Sequence, residues 1–293
     1  MGVASLATAM VSPAFGSSVE NTRKLTILHT NDFHSHVDPF PKDAAKDAGM
    51  GGLERRANLI EKIRTEGNNV LLLDAGDIFQ GTPYFNYFKG EVELKCMSAM
   101  GYDAATIGNH EFDNGLEGIR SQLHNANFPM VCSNYDFSKT ILNGMTKEYL
   151  VLDKEGIKIG IYGLGVALDG LVLERNYEET VYLDPLETAL KMEKKLKQEL
   201  ECDLVICLSH IGYSYKSDRV SDLTIAADTK CTDVIVGGHT HTFLDEPTLV
   251  ENKNGNKVVV TQSGWAGVQL GRLDIEFSPE NDKDYSFSMI EVK

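Results

Sequence analysis

The chain has 293 residues, 42% of them hydrophobic and 24% charged, which is enough apolar content for a sizeable core. Its formal net charge of -15 and pI near 4.9 exclude a general nucleic-acid-binding surface, because phosphate backbones are held by lysine and arginine. A small anionic ligand would need positive charge placed locally, and metal ions supply it without altering the side-chain count.

Residues 1–23 read as a leader: Met1 to Ser18 is small, apolar and uncharged, and Ala14-Phe15-Gly16 precedes two serines, like the second half of an export signal without its basic start. Export, periplasmic or otherwise, is therefore expected, with 24–293 as one α/β domain. No apolar run has the length of a membrane-spanning helix. The five cysteines (Cys96, Cys132, Cys202, Cys207, Cys231) contain no CxxC pair and are expected as buried free thiols.

A strand pattern begins at Lys24 and ends in Asn31-Asp32-Phe33-His34-Ser35-His36. A helical pattern follows from Leu53 to Ile63, and then a wholly apolar strand, Val70-Leu71-Leu72-Leu73, runs into Asp74-Ala75-Gly76-Asp77. A helix over Glu91 to Met100 leads to Thr106-Ile107-Gly108-Asn109-His110-Glu111-Phe112-Asp113. Phe128 to Asn134 and Ile157 to Gly163 read as further strands, and Asp184-Pro185 starts a helix extending to about Glu201, with a solvated lysine face. Two more apolar strands end in Ser209-His210 and in Gly237-Gly238-His239-Thr240-His241. The remaining strands, Lys257 to Gln262, Leu270 to Phe277 and Tyr285 to Val292, look antiparallel, with Asn254-Gly255 as a hairpin turn.

Five segments thus share one pattern, an apolar strand followed by a loop bearing carboxylate, amide or imidazole. Parallel strands bring such loops to one sheet edge, where ligands commonly bind. Asp32, His34, Asp77, Asn109, His210, His239 and His241 are candidate metal donors. The set lacks sulfur and favours Mn, Fe, Co, Ni or Zn, and seven donors exceed what one tetrahedral ion requires. His110 can transfer a proton near neutral pH, and Asp113 can hold its imidazole in one tautomer. Glu111 and His36 are read as structural, Trp265 as core or rim packing, and His29 and His124 carry no assignment.

In this order DxH, GD, GNHE, a lone histidine and GHxH resemble the calcineurin-like metallophosphoesterase superfamily, and Leu28 to His34 with Gly108 to Asp113 looks like its 5′-nucleotidase branch. The resemblance spans about residues 25 to 277. It implies a four-layer αββα sandwich of two mixed sheets flanked by helices. It also implies two divalent ions, one on Asp32, His34 and His241, the other on Asn109, His210 and His239, with Asp77 bridging. The implied reaction is phosphomonoester hydrolysis by a metal-bound hydroxide, with His110 and Asp113 handling charge and protons. The substrate would be a small phosphorylated molecule such as a nucleotide.

Bacterial 5′-nucleotidases of this branch usually carry a further C-terminal module for the nucleoside, so the resemblance implies either that a separate chain supplies it or that phosphoesters are hydrolysed with broad, weak preference. Some relatives place glutamine where His241 stands. Cleavage of cyclic nucleotides, other phosphodiesters or nucleotide sugars is the rival activity. A metal- or nucleotide-binding subunit without catalysis is the rival of another class, against which the His110–Asp113 pair argues.

Overall fold

A computed structural model describes residues 22–67 and 69–293, so the expected leader up to residue 21 lies outside the described residues. The first half forms β1 (Arg23–Thr30), α1 (Leu53–Thr65), β2 (Val70–Asp74), α2 (Pro83–Phe88), α3 (Glu91–Met100), β3 (Ala104–Ala105), α4 (Gly115–Gln122) and β4 (Tyr135–Asp136). The second continues with β5 (Tyr149–Lys154), β6 (Ile157–Gly165), α5 (Glu174–Tyr177), β7 (Val181–Tyr182), α6 (Pro185–Glu193), β8 (Leu204–His210) and α7 (Asp222–Asp228). It closes with β9 (Val234–Gly237), β10 (Thr248–Glu251), β11 (Lys257–Thr261), β12 (Gln269–Phe277) and β13 (Lys283–Glu291). Among the described residues no helix is long and apolar enough to cross a membrane.

Two sheets, ordered β13-β12-β1-β2-β3 and β10-β11-β9-β8-β6-β5, lie face to face. Strand alternation builds the layers. Leu25 and Ile27 of β1 and Leu71 and Leu73 of β2 meet Ile159, Ile206 and Val236 of the other sheet in the central core. The intervening Leu28 and Leu72 turn outward onto α1, α3 and α4. Val205, Cys207 and Ile235 likewise face α6 and α7. The result is the expected sequence of layers, helices–sheet–sheet–helices.

Strands β1, β2 and β3 are parallel, and so are β6, β8, β9 and β11. Antiparallel partners occupy the margins: β12 and β13 in one sheet, β5 and β10 in the other. Asp184 caps α6, its carboxylate accepting from Glu187 N at 2.8 Å, but a wider helical turn takes over at Lys194–Glu199.

Two strand expectations need correction. The stretch 128–134 forms isolated bridges, because its backbone changes partner along its length: Val131 N donates to Ala105 O, Cys132 N to Lys147 O and Ser133 N to Gly163 O. β11 is antiparallel only to β10 and pairs in parallel with β9, so β11 and β12 belong to different sheets. The five cysteines are free, but Cys96 and Cys231 are only half-buried.

His29 is fully buried between the sheets, its Nε2 3.2 Å from Thr261 Oγ1 and its Nδ1 without a partner. Burial pushes its pKa down to about 3. The neutral ring belongs to the fold, whereas the unfolded chain takes up a proton below about pH 6.5. The stabilisation is complete above that pH and is lost as pH falls toward the folded value. Between pH 6.5 and 5 the parent protein should lose about 2 kcal/mol more stability than His29→Leu, at about 1.4 kcal/mol per pH unit for one proton. Urea melts of both proteins at the two pH values test this, and parallel losses would refute it.

Candidate metal centre

The parallel strands of both sheets point their C-terminal ends to one edge, and the loops there are stitched together. Asp32 N donates to Gly76 O at 2.8 Å and His34 N to Asp77 O at 3.0 Å, joining the loops after β1 and β2. His210, the last residue of β8, donates from Nδ1 to Ala75 O at 2.6 Å, which joins the two sheets. Gly108 lies so close that a Cβ there would sit 2.7 Å from both Asp77 N and His210 Nε2. An alanine at 108 would therefore displace two site residues at once.

All seven expected donors come together, in two groups. Asp32, His34 and His241 form one and Asp77, His210 and His239 the other, with the ligand atoms of each group within 4.8 Å of one another. Asn109 Oδ1 lies 2.9 Å from His239 Nδ1, beside the second group. Asp77 stands between the groups: its Oδ2 is 3.0 Å from His210 Nε2 and 3.8 Å from His34 Nε2. Asp32 Oδ1 lies 3.3 Å from His241 Nε2, and His239 N donates to both Asp32 oxygens at 3.0 Å.

Five of the seven are held in left-handed backbone: Asp32 (φ 49), His34 (φ 49), Asp77 (φ 53), His239 (φ 72) and His241 (φ 49). Non-glycine residues reach this region at a cost of about 1–2 kcal/mol each, so the loops hold strained backbone where the side chains converge.

The donor set fits cations. His34 and His210 each use Nδ1 on a backbone carbonyl, Phe79 O at 3.2 Å and Ala75 O at 2.6 Å, so Nε2 turns a lone pair inward. Those lone pairs meet other electron-rich atoms: His34 Nε2 lies 3.0 Å from His241 Nε2, and buried His210 Nε2 has no hydrogen-bond partner although Asp77 Oδ2 is 3.0 Å away. Only a proton or a metal ion between them relieves this arrangement. Without metal the proton serves: burial alone would lower the His210 pKa, but Asp77 overrides it and pushes it up to about 10. Burial likewise opposes ionisation of Asp77, yet His210 and His34 hold its carboxyl well below the usual range.

His110 sits at the lip, a third exposed, with Nδ1 2.9 Å from Asp113 Oδ2 and its ring edge-on to His34. Its backbone N donates to Asp77 Oδ1 at 2.8 Å. Burial works against its protonation, but the Asp113 bond and the Asp77 charge together raise its pKa. Glu111 has a structural role, its carboxylate accepting from the backbone N–H groups of Asp77, Ile78, Phe79 and Gly108. His36 stacks on Phe40 at 4.8 Å and bonds to none of the seven donors.

Sequence reasoning missed Asn31 and Gln262 and undervalued Trp265. Asn31 is fully engaged: Nδ2 donates to Asp32 Oδ2 and Gly264 O at 2.6 Å each, while Oδ1 accepts from Ser263 N and Oγ. Trp265, the single tryptophan, stacks on His241 at 5.5 Å with the planes 6° apart. Position after a strand end was its available signal. Saturating Mn²⁺ added to metal-free protein should quench Trp265 emission, and His241→Ala should remove most of that response. An unchanged emission at saturation would contradict occupancy of the first group.

A two-sheet sandwich with this donor set is the architecture of a binuclear metallohydrolase. Residues 25–243 match the calcineurin-like phosphoesterase family, and the chain belongs to it. It is 36% identical over 279 residues to a snake venom 5′-nucleotidase of Gloydius brevicauda, covering 88% of this chain and 46% of the relative. To the 5′-nucleotidase of Bos taurus it is 35% identical over 280 residues, covering 88% and 47%. The crystal structure of a 5′-nucleotidase precursor from Thermus thermophilus superposes with a TM-score of 0.83 at 32% identity, over 92% of this chain and 55% of that one. The chain therefore spans about half the length of the curated relatives it matches.

Proposed function

We propose that this chain is a two-metal phosphoester hydrolase that releases phosphate from nucleoside monophosphates. The observation that carries the reading is the convergence of seven nitrogen and oxygen donors in two groups beside a positioned His110–Asp113 pair. Asp32, His34 and His241 would hold one divalent ion, and Asn109, His210 and His239 the other, with Asp77 between them. The sulfur-free set supports Mn, Zn, Fe, Co or Ni. When bound, such ions supply positive charge for a phosphoryl group and acidify water to a nucleophile near neutral pH. Asp32 and Asp77 orient the donors and limit the net positive charge. His110 faces the outer side of the centre, where it donates a hydrogen bond to the phosphoryl oxygens or a proton to the departing alkoxide, while Asp113 fixes its Nδ1.

The nucleotide as substrate and export of the chain are supported by the names of the relatives, two 5′-nucleotidases of which one is a venom protein. The test is a metal-reconstituted panel of AMP, p-nitrophenyl phosphate, 2′,3′-cyclic AMP and UDP-glucose. Fastest release from AMP is expected. Cleavage of the diesters alone would reassign the activity, and no hydrolysis with any of the five metals would overturn it.

A further inference from the structure

The end of β11 supplies no metal donor and carries no charge, yet it braces the centre. Gln262 is fully buried, and its single amide makes three bonds to one loop. Its Nε2 donates to Gly238 O at 2.8 Å, while Oε1 accepts from Thr240 Oγ1 at 3.2 Å and from Thr242 N. The anchored positions 238, 240 and 242 alternate with His239 and His241, which enter different donor groups. Both histidines sit in left-handed backbone, at φ 72 and φ 49, in a loop outside any strand or helix. Such backbone persists only where its surroundings over-determine it. Other bonds hold single points of that loop, Tyr213 N on Thr240 Oγ1, His239 N on Asp32 and Gly264 N on Thr242 O, each at 3.0 Å, whereas the Gln262 amide reaches positions 238, 240 and 242 together.

We propose that Gln262 is a positioning residue for both donor groups at once, setting the separation of His239 and His241 through the three positions that flank them. The inference rests on the two-metal reading of the site and goes beyond it, because it predicts coupled defects. A fault at a histidine of one group weakens chiefly that ion, whereas loss of this brace frees one histidine of each group. Outer hydrogen-bond partners of metal ligands typically contribute about 10- to 100-fold in metal affinity.

Calorimetric titration of metal-free protein with Mn²⁺, at a temperature where each variant is fully folded by circular dichroism, provides the test. Wild type should bind two ions. Gln262→Met, which keeps the volume and removes the three bonds, should weaken both binding steps about 10- to 100-fold, with His241→Ala as the comparison that weakens chiefly one. Two steps within twofold of wild type, or a defect in one step alone, would overturn the proposal. Should Gln262→Met fail to fold, Gln262→Asn decides, because it keeps an amide but draws it back by one methylene from Gly238, Thr240 and Thr242: weakening of both steps supports the brace and unchanged binding rejects it. Failure of wild type to bind two ions overturns the centre itself, a result distinct from normal binding by the variant.

Discussion

Asp77→Asn should empty both metal groups in a folded protein. The carboxylate lies between imidazoles of both groups, His210 Nε2 at 3.0 Å and His34 Nε2 at 3.8 Å, and reaches His210 more closely than Asp32 does, whose Oδ1 is 4.0 Å from the same nitrogen. An amide keeps the volume and can still accept the His110 N–H bond now made to Oδ1, so the loop geometry has a means of surviving. It cannot replace the negative charge that offsets two divalent cations, and one of its terminal atoms becomes a donor aimed at ring nitrogens or at an ion. The affinity of both ions should therefore fall by more than the about 10- to 100-fold typical of losing an outer hydrogen-bond partner. Elemental analysis after gel filtration, with circular dichroism as the control for folding, measures the outcome. Two ions retained per chain with wild-type affinity would show that Asp77 does not serve both groups.

The donors were legible in the sequence because each is a titratable or amide side chain directly after an apolar run, and parallel strands place their ends on a common edge. Asp32 after β1 and His239 after β9 needed no structure to be noticed. The layering was legible for a related reason: Ile27 and Leu28, adjacent in sequence, must face opposite sides of a strand, and here they enter the central and outer cores. The register of whole strands was not legible. β11 looks like half of a hairpin because Asn254-Gly255 precedes it, yet its other edge pairs in parallel with β9, a long-range choice that no local pattern encodes.

That missed pairing hid the bracing segment. Thr261 lies beside Val236 in the parallel register, which brings the neutral residues after β11 to the same edge as the histidines after β9. Gln262, Ser263 and Trp265 belong to no metal-donor pattern, so a search for titratable groups passes over them. Their roles arise from contacts across the sheets: Ser263 to Asn31, Trp265 to His241 and Ala266 N to Asp32 O at 2.7 Å. Glu111 presents the reverse case. It stands inside the most reactive-looking motif, but four backbone N–H groups consume its carboxylate.

His110→Ala should keep both ions and lower turnover by about 10²- to 10⁴-fold, the range typical of a positioned acid or base. The side chain is set apart from the donors by its partner: Nδ1 is engaged at 2.9 Å by Asp113 Oδ2, a carboxylate that belongs to neither donor group. Leaving-group dependence separates two roles for it. If His110 protonates the departing oxygen, AMP, whose ribose alkoxide is a poor leaving group, should suffer the full loss. p-Nitrophenyl phosphate, whose phenolate departs without a proton, should suffer much less. Equal losses on both substrates would instead assign His110 to stabilising charge on the phosphoryl oxygens. Asp113→Ala, which frees the ring without removing it, should follow the same substrate pattern with a smaller loss. Depletion of metal from His110→Ala, measured on the same sample, would make the residue a ligand and remove it from proton transfer altogether.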